Sequence, residues 1–305
     1  MDRNLAEYIR DTTSDLIINK NAIVMGQCLT AVGWVAGTVP SFENHPNIIE
    51  LPMADVAGGG IAVGAALDET RPVIYIVRYQ GFLWYNAISI ANYAAKSFEL
   101  FGVPCPLIVR AIGMEGGIGP VAGNYHLSIL LRMPGINVFA PMTTSEWNFA
   151  ISKHFEENTH PTILGEHRSA YNIDFSLDDR LIERSEMNIL ALGSSRINSK
   201  FAQELLAKKG IRVNLFNLFK LAPLEWPMGL LEAIKETNNC LIVDSDYEEW
   251  GPSQTIAFKL SKLTGGNIDV LGLTRKSAGF SPASDNLTPS VSQIVDKVQN
   301  LIQYK

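Results

Sequence analysis

The sequence is poor in cysteine and has no long apolar run. Its 305 residues contain three cysteines, Cys28, Cys105 and Cys240, which lie far apart in the chain. An odd number of distant cysteines favours reduced thiols in a cytoplasmic protein over a disulfide framework or a zinc site. No apolar run approaches the ~18 residues that a membrane span requires, and the charged N-terminal segment has no signal-peptide core. The sequence therefore predicts a cytoplasmic protein without a membrane segment.

A basic cluster is also absent. The formal net charge is −6, so the sequence gives no reason to expect nucleic acid as a partner. Apolar residues make up 47% of the chain and charged residues 18%, which provides enough apolar material for two hydrophobic cores. A length of 305 residues likewise suits two domains of ordinary size.

The common motifs of nucleotide and metal enzymes are missing. The chain contains no GxxxxGK(S/T) loop, no HExxH or CxxC pair and no GxSxG elbow. Glycines at 58–64 follow a predicted strand, but their spacing differs from the GxGxxG of dinucleotide-binding folds. The five histidines, at positions 45, 126, 154, 160 and 167, lack metal-ligand spacing. Ordinary nucleotide and metal enzymes are therefore poorly supported.

Short apolar runs alternate with helical patterns from end to end. In the first half six such runs are typical of strands, among them 22–25 and 72–77. Strands separated by helices predict a parallel sheet with helices on both faces. The charged segment 171–186 interrupts this pattern, which then restarts with about four more strands. We predict an α/β protein of two doubly wound domains, residues 1–180 and 181–305.

The stretch 51–67, LPMADVAGGGIAVGAAL, places a lone acid at a predicted strand-to-helix turn. Asp55 is surrounded by apolar and small residues, and four glycines follow it within nine positions. Glycine lets the backbone approach a ligand closely, and a helix N-terminus is a common place to present a polar group to one. Asp55 is therefore a candidate ligand-binding acid. The alternative is that Asp55 caps the helix, which is the commonest use of Asp at such a turn.

Three aromatic residues, Phe82, Trp84 and Tyr85, cluster at the start of a predicted helix over 83–101. They form either a wall on which a flat heterocycle packs or a helix N-terminus that is packed into a core.

A glycine-rich loop, GMEGGIGPVAGNYH at 113–126, is predicted to follow the strand at 106–111. Its glycines suit a backbone that approaches a ligand or another chain, and a mobile surface loop is the alternative. His126, at its end, is a candidate general acid–base, or else a packing or capping residue.

Several segments resemble one group of thiamine-diphosphate enzymes, and they do so in the same order along the chain. They are AIVMGQ at 22–27, ELPMAD at 50–55, RPVIYI at 71–76, the aromatic-to-NYAAK stretch at 82–96 and LFNLFKLAPLE at 215–225. The chain resembles the beta subunit of the decarboxylating component of 2-oxo-acid dehydrogenases, and also the C-terminal half of transketolase. The resemblance implies a pyrimidine-binding domain followed by a transketolase C-terminal domain.

The resemblance also implies roles for five side chains. Asp55 lies where the family has a glutamate that hydrogen-bonds a nitrogen of the cofactor's pyrimidine ring and so promotes loss of a proton from the thiazolium carbon. Phe82 matches the position that packs against the pyrimidine, with Trp84 and Tyr85 nearby. Gln27 takes an acidic position of the family at the end of the first strand. These residues are the predicted binding site for thiamine diphosphate, and Asp55 is also predicted to be catalytic.

The chain departs from the family at two of its site positions. Asp55 is one methylene shorter than glutamate, and a displacement of ~1 Å can cost about 100-fold in rate. The dehydrogenase beta subunits carry a His-His pair in the glycine-rich loop, where this chain has Tyr125 and His126. This alignment makes His126 the predicted catalytic acid–base. An alignment on transketolase instead places the loop histidine at Ala122, and His126 then becomes a helix residue without a defined role.

The sequence contains no GDG motif, which in this family marks the half that binds the cofactor diphosphate and, with a later Asn, magnesium. The resemblance therefore implies an alpha-type partner chain that carries GDG…N and holds Mg²⁺, in an α2β2 or αβ assembly. The predicted function is that of a beta-type subunit acting on C–C bonds next to the carbonyl of a small keto substrate. The reaction is either 2-oxo-acid decarboxylation with acyl transfer or ketol transfer as in a split transketolase. The alternative is a non-catalytic regulatory or scaffolding subunit of the same fold.

Overall fold

The computed structural model describes residues 4–68, 70–123, 125 and 127–303, and the chain divides into two compact units. The first unit comprises Met1–Met114, Val121–Asp174 and Leu221–Pro223. The second unit comprises Glu115–Pro120, Phe175–Lys220 and Leu224–Lys305. The domain boundary that the sequence suggests at residue 180 stays a prediction.

The first unit is built on a seven-stranded sheet with helices around it. Its strands are β1 (Ile23–Gly26), β2 (Ile48–Glu50), β3 (Val73–Val77), β4 (Leu107–Gly113), β5 (Asn137–Phe139), β6 (Thr162–His167) and β9 (Lys220–Ala222). Its helices are α1 (Leu5–Lys20), α2 (Ala31–Gly37), α3 (Asp55–Leu67), α4 (Leu83–Ala87), α5 (Ala95–Phe101), α6 (Leu127–Leu131) and α7 (Thr144–Glu157).

The strand order of this sheet is β2-β1-β3-β4-β6-β5-β9, and the pairings among β1 to β6 are parallel. Strand β3 pairs with β1 on one side and β4 on the other, and all five of its residues are buried. This position explains why its sequence is a continuous apolar run rather than an alternating one. Parallel strands end at the same edge of a sheet, where ligands bind in such folds. Gln27, Arg78 and Arg168, which follow β1, β3 and β6, therefore come to one edge.

The predicted helix over 83–101 is one helical run whose winding changes. Helix α4 continues into seven π-helical residues, Ile88–Ala94, and these continue into α5. Gly102 ends the run with a φ of 67°, a left-handed conformation that glycine adopts without a steric penalty. Single π segments inside α-helices are frequent at functional sites. This one lies directly after the aromatic residues at 82–85.

The second unit has a four-stranded parallel sheet of order β11-β10-β7-β8. Its strands are β7 (Met187–Leu192), β8 (Val213–Leu218), β10 (Asn239–Tyr247) and β11 (Asn267–Leu273), and its helices are α8 (Ser195–Lys208), α9 (Leu230–Thr237), α10 (Pro252–Thr264) and α11 (Val291–Gln303). The prediction of an α/β protein with two parallel-sheet domains is confirmed. No helix in the described ranges is long and apolar enough to cross a membrane.

A buried ion pair joins β4 to β6 in the first unit. Arg110 donates from Nε and Nη2 to the two carboxylate oxygens of Glu166, at 2.6 and 2.9 Å, and both side chains are 1% exposed. The Tyr171 hydroxyl donates to the same carboxylate at 2.6 Å, and Thr38 Oγ1 accepts from Arg110 Nη2 at 2.7 Å. Removal of one partner from such a pair costs about 3–5 kcal/mol, because the other charge is left buried and uncompensated. This cluster fixes the relative positions of the two strands.

Burial lowers the pKa of His154, at the end of α7, from 6.5 to about 4. The imidazole is 2% exposed, and its Nδ1 lies 2.9 Å from Thr162 Oγ1. The unfolded chain takes up this proton near pH 6.5 and the folded chain only near pH 4. The stabilisation is therefore complete above pH 6.5 and is lost as the pH falls towards 4.

We expect His154→Gln to reduce the loss of unfolding free energy between pH 7 and pH 4.5 by about 2 kcal/mol, because glutamine does not titrate. Urea denaturation of both proteins at the two pH values measures the difference. An equal loss in the variant and the natural protein would show that His154 does not set this pH dependence.

Candidate functional site

Asp55 is the first residue of helix α3, just after the chain leaves β2. The N-cap residue is Ala54, and no side chain caps this end of the helix. Asp55 therefore does not occupy the N-cap position that the capping alternative requires. The carboxylate is half-buried and lines an open depression together with Ala54, Val56, Ala57 and Tyr85. It lies at the positive end of the helix dipole, where a negative charge is stabilised.

Two buried polar side chains lie behind the first turn of α3. The Tyr75 hydroxyl, from β3, donates to Asn86 Oδ1 at 2.9 Å, and Asn86 Nδ2 donates to the Phe82 carbonyl at 2.9 Å. A Cβ atom on Gly58 would lie 3.0 Å from the Tyr75 hydroxyl oxygen, and one on Gly59 would overlap Asn86 Oδ1. Burial raises the pKa of Tyr75, and the charge of Asp55 raises it further. Tyr75 is therefore a neutral phenol close to the Asp55 carboxylate.

A row of aromatic rings leads away from this depression. The ring centroids of Tyr85 and Phe82 are 6.4 Å apart, and those of Phe82 and Tyr79 are 5.8 Å apart. Phe82 is half-buried and packs against the core of the first unit, whereas Tyr85 is 53% exposed. Tyr85 is thus shared by the row and the depression, and Phe82 supports it from the core side.

The far end of the row opens on a small pocket that contains two arginines. Its lining residues in the first unit are Val35, Ala36, Arg78, Tyr79, Ile112, Met114, Arg168 and Tyr171. The guanidinium carbon of Arg78 lies 6.0 Å from the centroid of the Tyr79 ring. None of these described lining residues is acidic, so the pocket favours an anionic group.

The structure does not gather all of the predicted site residues into one depression. Gln27 is 5% exposed, and its Nε2 has no hydrogen-bond partner within the described ranges. Trp84 is 56% exposed and is not among the residues that line the Asp55 depression. His126 lies outside the described residues. Asp55 and Tyr85 are therefore the predicted pair that the fold brings together, with Phe82 against Tyr85.

Part of the glycine-rich loop is fixed within the second unit. Gly116 N donates to Asn286 Oδ1 at 2.7 Å, and Gly119 N donates to the Gly279 carbonyl at 3.2 Å. Gly119 has a φ of 110°, and a Cβ atom there would lie 2.9 Å from the Phe280 ring. These contacts favour a held loop over the mobile surface loop that was the alternative.

The chemistry of these groups fits the pyrimidine end of thiamine diphosphate, which the resemblance implies. A carboxylate can accept a hydrogen bond from a protonated ring nitrogen, and the Phe82 and Tyr85 rings provide flat apolar surface. The buried Gln27 Nε2 is a donor that lacks an acceptor among the described residues, and such atoms often meet a ligand or water. No group of three or more His, Cys, Asp or Glu side chains in the described ranges is placed to hold a metal ion.

Sequence reasoning missed Tyr75, Asn86 and Arg168. Tyr75 lies inside an apolar strand and Asn86 inside a helical pattern, so neither stands out from its neighbours. One signal was available, because the adjacent glycines at 58 and 59 indicate that another group approaches this helix closely. The sequence does not say which group that is.

Two known families match successive parts of the chain. Residues 16–174 match the family described as "Transketolase, pyrimidine binding domain". Residues 179–298 match the family described as "Transketolase, C-terminal domain". These matches confirm the resemblance and the domain types that the sequence implies.

Curated proteins with similar sequences include two beta subunits. The chain is 26% identical over 222 residues to the mitochondrial pyruvate dehydrogenase E1 component subunit beta of Dictyostelium discoideum, which covers 67% of this chain and 62% of that protein. It is 25% identical over 274 residues to the acetoin:2,6-dichlorophenolindophenol oxidoreductase subunit beta of Cupriavidus necator, covering 83% of this chain and 79% of that protein.

Solved structures of similar fold include transketolases. A split-gene transketolase, described as an inactive beta4 tetramer, has a TM-score of 0.75 and 17% identity, and the match covers 99% of both chains. Transketolase of Pichia stipitis in complex with sedoheptulose-7-phosphate has a TM-score of 0.74 and 17% identity, and the match covers 99% of this chain and 46% of that one. At these identities the likeness establishes the fold alone. This chain spans about half the length of the Pichia stipitis enzyme.

The contact between Gly59 and Asn86 generates a stability prediction with a neighbouring control. We expect Gly59→Ala to lower the unfolding free energy by about 1–3 kcal/mol, because the added methyl group overlaps Asn86 Oδ1 in a packed region. The control is Gly60→Ala, whose Cβ atom would lie 3.9 Å from Ser89 Oγ. It should raise the unfolding free energy by about 0.5–1 kcal/mol through helix propensity.

Urea denaturation of the two purified variants and the natural protein measures both changes. Equal stability of the two variants would contradict the close approach of α3 to Asn86.

Proposed function

Because the chain belongs to the transketolase family, with its pyrimidine-binding and C-terminal domains, we propose that it is the beta-type subunit of a two-chain thiamine-diphosphate enzyme. The enzyme makes or breaks a C–C bond next to a carbonyl group. One observation carries this proposal: the half-buried Asp55 carboxylate lies beside Tyr85 at the open first turn of α3. The relatives with beta-subunit names support the subunit type.

Asp55 acts as the hydrogen-bond acceptor for a protonated nitrogen of the pyrimidine ring. A charge-assisted hydrogen bond of this kind holds a proton at that nitrogen. When bound, thiamine diphosphate supplies a nucleophilic carbon and an electron sink for the substrate carbonyl. Phe82 and Tyr85 would provide apolar ring surface for the pyrimidine, Trp84 would add to the binding site, and the Gln27 amide would donate a hydrogen bond to the bound group.

The residue that moves protons to and from the substrate is His126 in this proposal. Its place in the sequence, at the end of the glycine-rich loop, supports the assignment. Imidazole is the side chain whose pKa best suits proton transfer near neutral pH.

The substrate is a small keto compound that carries an anionic group. The guanidinium groups of Arg78 and Arg168 support this, because they line a pocket that has no acidic residue among its described lining. The pocket itself has room for about one water molecule, so a carboxylate or a phosphate would bind at its mouth. Tyr79 lines this pocket, and its ring is 5.8 Å from that of Phe82, so a row of rings connects the anion pocket to the Asp55 depression. Both a 2-oxo acid and a ketose phosphate satisfy this description.

The partner is an alpha-type chain that carries GDG…N, holds magnesium and the diphosphate, and forms an α2β2 or αβ assembly. An exposed apolar surface on α3, α4 and the π-helical segment supports a protein partner. Its large residues are Val56, Ile61, Trp84, Tyr85 and Ile88, each more than half exposed. Contiguous exposed apolar surface of this kind marks interaction sites.

A cytoplasmic location stays a prediction.

A non-catalytic subunit is the second candidate, and the identity of Asp55 is the observation that favours it. The side chain is one methylene shorter than the family's glutamate, so its carboxylate reaches less far into the site. A subunit that has lost this reach retains the surface for a partner without taking part in the reaction.

The first test replaces Asp55 in the complex with the partner chain, supplied with thiamine diphosphate and magnesium. We expect Asp55→Ala to lower turnover by about 100-fold or more, because the acceptor for the ring nitrogen is lost, and we expect Asp55→Glu to lower it less, because the carboxylate is kept but displaced. Pyruvate and a ketose phosphate are the two substrates to assay. Asp68→Ala, at the opposite end of α3, is the control and should leave turnover unchanged.

Full activity of Asp55→Ala would contradict the catalytic role and favour the non-catalytic subunit.

The second test concerns the partner. We expect this chain, co-expressed with the product of a neighbouring reading frame that carries GDG…N, to purify as a stable complex. Calorimetry should show that thiamine diphosphate with magnesium binds to the complex and not to this chain alone. Micromolar binding together with turnover by the isolated chain would contradict the requirement for a partner.

A further inference from the structure

Tyr75 and Asn86 form a link between the two sides of the candidate cofactor site. We infer that they are positioning residues, which hold the Asp55 carboxylate and the Phe82 ring at a fixed separation. The inference rests on the proposed function, because it assigns to these residues a role in placing the groups that hold the pyrimidine. It adds two residues that the resemblance does not name.

The hydrogen bonds define this link. Tyr75 is 1% exposed and Asn86 is fully buried. The Tyr75 hydroxyl donates to Asn86 Oδ1, and Asn86 Nδ2 donates to the Phe82 carbonyl, both at 2.9 Å. The two bonds fix the orientation of the Asn86 amide, since its oxygen accepts and its nitrogen donates. Phe82 therefore has its backbone tied to Tyr75 through a single side chain.

The glycines of α3 bring Asp55 to the other end of the same link. The Tyr75 hydroxyl oxygen would lie 3.0 Å from a Cβ atom at position 58, and Asn86 Oδ1 would overlap one at position 59. Both polar groups therefore lie directly against the α3 backbone where its first turn meets the second, three and four residues after Asp55. This turn cannot move inward without a clash, and it cannot tilt outward without opening a gap behind it.

The electrostatics agree with a positioning role. Burial raises the pKa of Tyr75, and the charge of the nearby Asp55 raises it further, so the phenol keeps its proton. A phenol has one proton, and the hydrogen bond to Asn86 uses it. Tyr75 therefore supports the turn that carries Asp55 without donating to its carboxylate, whose oxygens stay available for a ligand.

A shorter acid makes this support more important. Asp55 has one bond fewer than glutamate with which to adjust its reach, so the position of the α3 backbone sets the position of the carboxylate. Catalytic geometry of this kind is sensitive to displacements of ~1 Å. A loss of the Tyr75–Asn86 bond should therefore appear in the reaction of the cofactor more than in its binding.

The test uses the two-chain complex with thiamine diphosphate and magnesium, and it needs no substrate. The variants are Tyr75→Phe and Asn86→Leu, singly and together, with Asp55→Ala as a reference. Tyr247→Phe is the matched control, because it removes a hydroxyl that donates to the Lys276 carbonyl in the second unit at 2.9 Å. Three quantities are measured: the Kd for thiamine diphosphate, hydrogen–deuterium exchange at the thiazolium carbon, and the Tm.

We expect Tyr75→Phe and Asn86→Leu each to slow the exchange by about tenfold while the Kd changes by about threefold or less. The double variant should be no slower than the slower single variant, because both changes break the same link. Tyr247→Phe should leave the exchange rate and the Kd unchanged. A purely structural role for the pair would lower the Tm without slowing the exchange in the folded complex.

Exchange in Tyr75→Phe within twofold of the natural complex, while Asp55→Ala abolishes it, would overturn the positioning role and leave the proposed function intact. Normal exchange in Asp55→Ala would overturn both. Should Tyr75→Phe fail to assemble, Asn86→Ala removes both the acceptor for Tyr75 and the donor to Phe82 without adding bulk or charge. Slower exchange in that variant supports the link, and normal exchange overturns it.

Discussion

The close approach of helix α3 to Tyr75 and Asn86 is the contact on which the candidate site depends. Two adjacent glycines allow it, because a Cβ atom at position 59 would overlap the Asn86 amide and one at position 58 would press on the Tyr75 hydroxyl. The approach fixes the first turn of the helix, and that turn carries Asp55. The half-buried Asp55 carboxylate lies at the positive end of α3, beside Tyr85. Its position therefore depends on how the backbone of α3 packs against the interior.

The parallel sheet of the first unit explains why the other polar groups are found where they are. Gln27, Arg78 and Arg168 each follow a strand, so they come to the same edge of the sheet. The buried Arg110–Glu166 pair joins β4 to β6 within the same sheet, and each charge neutralises the other. Arg78 and Arg168 remain at the rim, where they line a pocket. The buried ion pair therefore stabilises the sheet, whereas the two arginines at the strand ends are available to a ligand.

Much of the fold was predictable because its signals are local. The apolar run 73–77 and the alternation of strands with helices are properties of short segments, and they predict a parallel α/β fold directly. The change to π winding at Ile88–Ala94 was not predictable, because seven residues are too few for a changed period to stand out within a longer helical pattern. The site was predictable in part. Asp55 stands out as a lone acid among small residues, whereas Tyr75 and Asn86 look like ordinary strand and helix residues.

The sequence by itself determined the α/β class, the family resemblance and the lone acid at the start of α3, because each depends on residue type and spacing along the chain. Only the tertiary structure determined that Tyr75 and Asn86 pack against the helix that carries this acid. It also placed Tyr85, and not Trp84, in the depression with Asp55. The physical reason is that such contacts depend on strand order and helix packing, which bring together groups that no spacing in the sequence identifies as neighbours.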